Sequence, residues 1–145
     1  MTTLISEGLD IDIRWHAHTR NDPRWDHRNA LYAYLSQDGS NLLHIGMAGR
    51  ETLKERFDCE SKEGFVEWAT SEGFANIRVL IGQIETDAPR FTLQMLQDVE
   101  SLLIFRLKPL GNVRNTLSRN ITRPGLRVRC LGDAWPTRRN FHDRE

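Results

Sequence analysis

The chain has 145 residues, of which 39% are hydrophobic and 28% charged, and a formal net charge of zero. That length suits one domain with its own core, and neutrality argues against strong non-specific binding to nucleic acid, which scales with the phosphates neutralised. Cys59 and Cys130 are too far apart in sequence for a Cys-x-x-Cys pair, which excludes a disulfide framework or thiolate metal site; no apolar run nears the ~20 residues of a membrane span, and Met1 to Glu7 lacks a signal-peptide layout, so we expect a cytoplasmic protein with no membrane partner.

Leu9 to Trp15 alternates apolar and polar residues and is predicted to be a strand, followed by a polar loop from His16 to Asn29 with Asp22-Pro23 as a turn signal. Ala30 to Ser36 and Leu42 to Gly46 flank a Gln-Asp-Gly-Ser-Asn segment and read as a β-hairpin. An odd-length loop pairing Ser36 with Ser40 gathers Leu31, Ala33, Leu35, Leu43 and Ile45 on one face and Tyr32, Tyr34, Leu42 and His44 on the other, with Tyr32 opposite His44. Thr52-Leu53-Lys54-Glu55 fits a capping box, so a helix carrying Arg56 is predicted from about Leu53. A short helix follows at Phe65 to Thr70, and Ala75 to Ile84 is predicted to be a third core strand. Asp87 and Pro89 announce a further helix that Pro109 and Gly111 end, and Leu126 to Leu131 forms a strand-like tail. The result is an α+β fold.

Within that later helix Glu100 shares an apolar face with Leu93, Leu96, Leu103, Ile104 and Leu107, at −7, −4, +3, +4 and +7. A carboxylate there costs several kcal/mol unless it meets a cation, which implies a buried ion pair or a metal site. Charge is also distributed unevenly. From Glu100 onward ten basic residues stand against four acids, giving +6 there and −6 for the rest. Such an arginine-rich end is either a solvated face or a track for phosphates.

Ala30-Leu31-Tyr32, His44-Ile45-Gly46, Arg56, Glu100 and Pro109-Leu110-Gly111-Asn112, taken in order, resemble the GIY-YIG nuclease domain over about residues 30 to 112. The chain departs from the pattern in having Ala30 for the first Gly and His44 for the second Tyr. The resemblance implies one domain of residues 1 to 145: a GIY-YIG-like catalytic core at 30 to 112, with a three-stranded antiparallel sheet flanked by helices, an N-terminal extension at 1 to 29 and a basic C-terminal extension at 113 to 145. It further implies a metal-dependent endonuclease that cuts DNA to 5′-phosphate and 3′-hydroxyl ends. Glu100 would hold Mg²⁺ (or Mn²⁺), which keeps most of its water and takes substrate phosphate as a ligand. Arg56 would clamp the phosphate, Tyr32 would deprotonate or orient the attacking water, His44 would act as co-base or phosphate contact, and Asn112 would be supportive. Arg114, Arg119, Arg123, Arg127 and Arg129 would track nucleic acid, the last two from an edge strand, and cutting both strands would favour a homodimer or a partner subunit.

The same residues admit other readings. Substitution at His44 is compatible with a catalytically inactive nucleic-acid-binding or protein-interaction module of this fold. Glu100 and Arg56 could form a structural ion pair. His16 and His18 lie two apart and could hold zinc, and Trp25 to Arg28 could stack on bases or pack against the core.

Overall fold

A computed structural model describes residues 9–19, 22–62, 64–87, 90–112 and 125–143. The strands are β1 (Leu9–Ala17), β2 (Ala30–Leu35), β3 (Leu42–Ala48), β4 (Arg78–Glu85), β5 (Leu126–Leu131) and β6 (Asn140–His142). The helices are α1 (Leu53–Lys62), α2 (Phe65–Ser71) and α3 (Leu93–Leu107), with a 3-10 turn at Pro23–Asp26. The fold is α+β, but the sheet has six strands in the order β3-β2-β4-β1-β5-β6, instead of the three expected. All pairs are antiparallel except β1 with β5.

The extra strands come from segments read as extensions. In β1, Ile11, Ile13 and Trp15 are buried while Asp10 and Arg14 are exposed, the two-residue period of a strand covered on one face. This strand sits between β4 and β5, so the N-terminal segment is part of the middle of the sheet. Likewise β5 spans the residues expected of the tail but is not an edge, because β6 pairs along its far side.

Both faces of the sheet are covered at the β2 end, and every residue of β2 is buried. On one face Leu31, Ala33, Leu35, Ile45 and Leu80 pack with Leu96, Val99, Leu102 and Leu103 of α3. On the other, Tyr32, Tyr34, Leu43 and Ile81 pack under Leu53 and Phe57 of α1 and Phe65 and Trp68 of α2. Toward β1 and β5 the second face is open and charged.

Local signals set the element ends. The Thr52 amide donates to Glu55 Oε1 at 3.0 Å and the Glu55 amide to Thr52 Oγ1 at 3.1 Å, so the predicted capping box starts α1. Strand β4 begins at Arg78, later than expected, because Asn76 adopts a left-handed φ of 57° that an extended chain cannot continue through. Helix α3 is capped by Thr92, whose side chain accepts from the Met95 amide at 3.2 Å, five residues beyond the Asp87 expected to announce it. Pro89 lies outside the described residues. Lys108 ends α3 in the left-handed region, just before Pro109.

The hairpin register also departs from expectation, by two residues. Tyr34, not Tyr32, is opposite His44, and Tyr32 is opposite Gly46. The loop is tied by Asp38, whose Oδ1 accepts from Ser36 Oγ, the Ser40 amide and Ser40 Oγ, while the Ser36 amide donates to the Asn41 carbonyl. A bulge between Tyr34 and Leu35 absorbs the extra residue. A two-residue slip keeps Tyr32, Tyr34 and His44 on one face, but the bulge exchanges the two leucines beside it: Leu43 packs with the tyrosines and Leu42 against the opposite cluster, the reverse of expectation.

Candidate functional site

Under α1, the polar ends of Tyr32, Tyr34 and His44 meet two charged residues spaced four apart on that helix, Arg56 and Glu60. Such spacing puts both on one helix face. Glu60 is 6% exposed, and each carboxylate oxygen has a partner: Tyr34 Oη donates to Oε1 at 2.8 Å and His44 Nε2 lies 2.8 Å from Oε2. Tyr32 lies close enough to the same carboxylate to feel its charge. Arg56 Nε donates to Tyr32 Oη at 3.4 Å. The rings lie side by side, with centroids 5.1 Å apart for the tilted pair Tyr32 and Tyr34, and 5.8 Å and 5.5 Å where each of these stacks on His44. Phe65 closes the row against Tyr34 and His44.

The electrostatics follow from this packing. Burial alone would raise the Glu60 carboxyl, but the hydrogen bonds and charge of His44, with those of Tyr32 and Tyr34, hold it below its ordinary value. Both phenols are pushed far above theirs, first by burial and then by the negative charge of Glu60. Burial acts against the charge of Arg56, yet Tyr32 and Glu60 keep its guanidinium more firmly protonated than usual. Thus the resting site holds neutral phenols, an ionised Glu60 and a fixed cation. His44 Nδ1 is buried without a hydrogen-bond partner among the described residues.

Two glycines in the motif segments have steric reasons. A Cβ on Gly46 would lie 2.1 Å from Tyr32 Oη, so the tyrosine ring crosses the opposite strand through space that only glycine leaves. A Cβ on Gly111 would lie 2.7 Å from the Leu43 carbonyl oxygen. There the chain leaving α3 is laid along the outer edge of β3: the Leu110 and Gly111 amides donate to the Leu42 and Leu43 carbonyls at 3.2 and 2.6 Å. Asn112 completes the cover, its Oδ1 accepting from the Ile45 amide at 2.9 Å and its Nδ2 donating to the Ile45 carbonyl at 3.0 Å. Asn112 therefore finishes the pairing of an edge strand whose backbone groups would otherwise be unsatisfied.

Of the residues singled out in sequence, Tyr32, His44 and Arg56 converge, and Asn112 braces the strand that carries His44. Glu100 is half-buried on α3, which packs against the opposite face of the sheet. The carboxylate bonded into the cluster is Glu60. Sequence reading passed over Glu60 and Tyr34. The available signal was the Arg56-x-x-x-Glu60 spacing facing a hairpin with two tyrosines on one face.

Arg127 and Arg129 lie on the open part of the sheet, where Arg127 Nε pairs with Asp10 Oδ1 at 2.6 Å and Arg129 Nη2 with Asp12 Oδ2 at 2.8 Å. Arg14 and Glu85 make a third such pair at 2.9 Å. These carboxylates offset the two guanidiniums intended for phosphate. A cavity of about 1040 Å³ lies over this region, lined by residues that include Asp10, Asp12, Glu85, Arg127, Arg129 and Arg138. Arg114, Arg119 and Arg123 lie outside the described residues.

His16 Nε2 lies 2.9 Å from Gln83 Oε1, and His18 stacks on Trp25 with ring centroids 4.2 Å apart. Trp25 in turn packs against Phe57. No group of three or more His, Cys, Asp or Glu side chains that could hold a metal occurs among the described residues, nor does any helix among them have the length and apolarity to cross a membrane. Comparison with protein-family models, curated proteins and solved structures finds no match to this chain.

Proposed function

We propose that the protein is a metal-dependent endonuclease of GIY-YIG type that hydrolyses phosphodiester bonds in DNA. The observation that carries this reading is the convergence of the Tyr32 hydroxyl, the Arg56 guanidinium and the His44 imidazole on one β-hairpin and helix. A guanidinium can clamp a phosphate and offset charge in the transition state, and the phenol beside it can direct a water. Within the larger sheet, β2 pairs antiparallel with both β3 and β4 and is flanked by helices, as in the three-stranded core the resemblance implies, and this supports the same reading.

The position of α3 makes a role for Glu100 feasible. Leu93 Cδ1 would touch a Cβ built on Gly49 at 2.8 Å, while Leu110 and Gly111 bond to Leu42 and Leu43, so α3 runs antiparallel beside β3. Seven residues of helix rise about 10 Å, and three residues of strand span about 10 Å. Counted from Leu93 and Gly49, Glu100 is therefore level with Gly46, the residue crossed by Tyr32. From the edge of the sheet its carboxylate would serve as the protein ligand of Mg²⁺ or Mn²⁺. An ion of this kind needs few protein ligands because water and substrate phosphate complete its shell. When bound it would supply charge neutralisation at the phosphate.

A specific observation favours a second reading. Glu60 occupies the space beside Tyr32 and His44, and satisfied buried networks of this kind also occur as structural ties. In that case the protein is a nucleic-acid-binding or protein-interaction module without turnover. Incubation with supercoiled plasmid and oligonucleotide structures in Mg²⁺, Mn²⁺ or EDTA separates the two. The nuclease reading expects metal-dependent cutting that Glu100→Ala abolishes; binding without cutting in every condition would establish the module instead.

A further inference from the structure

We propose that Gln83, held between His16 and His27, is a specificity-determining residue that reads an adenine near the scissile phosphate, an inference that rests on the nuclease reading above and names what the site selects. Sheet register places the residue. Tyr32 of β2 and His16 of β1 are both direct partners of Ile81 in β4, so the three form a row on one face of the sheet. Gln83 follows Ile81 by two residues and shares that face. Two residues of strand span about 7 Å and neighbouring strands lie about 4.8 Å apart, which puts the Gln83 backbone about 8 Å from that of Tyr32, or roughly two to three base steps of ~3.4 Å. Gln83 also stands where the cover ends. On the Tyr32 side the face lies under α1, and on the other it opens onto Arg14, Asp12 and Arg129. Gln83 and His16 are half-buried and His27 is exposed, so the row lies at the surface.

Hydrogen-bond direction fixes the amide. An amide nitrogen only donates, so in the 3.4 Å contact between Gln83 Nε2 and His27 Nδ1 the imidazole nitrogen accepts. An amide oxygen only accepts, so His16 Nε2 donates to Gln83 Oε1 at 2.9 Å. Turning the amide over would require both imidazoles to change tautomer at once. Arg14, directly opposite Gln83, is engaged by Glu85 through bonds of 2.9 and 3.3 Å and leaves the amide alone. A primary amide carries two hydrogens and two lone pairs, and the histidines use one of each. Among the described residues the Gln83 side chain has no other hydrogen-bond partner. What remains is one donor and one acceptor side by side, the pair that meets N7 and N6 of adenine in a bidentate contact. Guanine presents two acceptors on the same edge, so a fixed amide would set acceptor against acceptor and reject it.

The test maps the cleavage sites of wild type, Gln83→Ala and Gln83→Glu on random-sequence libraries of duplex and single-stranded oligonucleotides with Mg²⁺ or Mn²⁺. In parallel, the oligonucleotides that each protein retains in EDTA are sequenced. For wild type we expect adenine at one fixed position within a few bases of the cut, preferred about tenfold or more over guanine. The library that shows it tells a base read in the major groove from one read in an unpaired strand. Gln83→Ala should lose the preference, and Gln83→Glu, which accepts without donating, should move it to cytosine. A wild-type profile without adenine preference, or one that both variants reproduce, would overturn the role of Gln83 and leave the nuclease reading intact. If wild type cuts nothing, the nuclease reading fails and the retained pool decides: adenine enrichment that Gln83→Ala abolishes supports base reading by this residue, and its absence overturns it. Should one variant not fold, the other gives the comparison.

Discussion

The same face of one sheet carries oppositely charged side chains in two settings. At the β2–β3 end, Glu60 sits under α1 at 6% exposure with His44, Tyr34 and Tyr32 around it and Arg56 one turn away. At the β1–β5 end, Asp10, Asp12 and Glu85 pair with Arg127, Arg129 and Arg14 in the open. Distances within the pairs are alike, but the Glu60 carboxylate is buried whereas those of Asp10, Asp12 and Glu85 are 30% to 70% exposed. Water makes that difference count. Exposed pairs exchange one good solvation for another and are screened by salt, whereas a helix lid makes each missing partner costly.

Glu60→Ala should break this contrast most strongly. It leaves Tyr34 and His44 facing a buried void, and about 1–3 kcal/mol is expected in urea unfolding for each of these two hydrogen-bond partners left unsatisfied. Gly46→Ala comes next. The new methyl group must displace the Tyr32 ring, with an expected cost of about 1–3 kcal/mol from overpacking and a loss of cleavage that mirrors the displacement of the hydroxyl. Asn112→Ala uncaps both backbone groups of Ile45, for which about 1–3 kcal/mol is expected, together with faster amide exchange at Ile45.

A smaller effect is expected from pH. The folded-state pKa of Glu60 is depressed, so its contribution to stability is complete above the unfolded value of about 4.5 and is lost as pH falls through the lower folded value. Thermal melts of wild type and Glu60→Gln should therefore converge as pH falls below that range and stay parallel above it. Arg129→Ala should be the mildest change. At the open end, with Asp12 its salt-bridge partner among the described residues, it should leave the unfolding midpoint and its salt dependence close to wild type. A large effect there would show that exposure does not separate the two regions.

Much of the framework was legible before the fold was known because its signals are local. The alternation in β1, the Thr52–Glu55 box and the two-residue period of the hairpin each depend on neighbours within a few positions. The faces of Tyr32, Tyr34 and His44 followed from parity, which survived an error of two in the register. Which of the tyrosines met His44 did not follow, since a bulge and the bonds of Asp38 chose the pairing. Glu100 drew attention because it interrupts an apolar helical stripe. Glu60 has no such stripe around it in sequence, and its burial arises only when α1 closes over a hairpin formed elsewhere in the chain.

By itself, then, the sequence determined β1 to β5 and the three helices, the shared face of Tyr32, Tyr34 and His44, and the presence of Tyr32, His44 and Arg56 on elements that could meet. The tertiary structure decided that β1 lies inside the sheet, that the segment after α3 covers the edge of β3, and that a carboxylate from α1 sits among the phenols. Those outcomes depend on pairings between residues distant in the chain, where the burial of a charge is set by what folds over it and not by its neighbours in sequence.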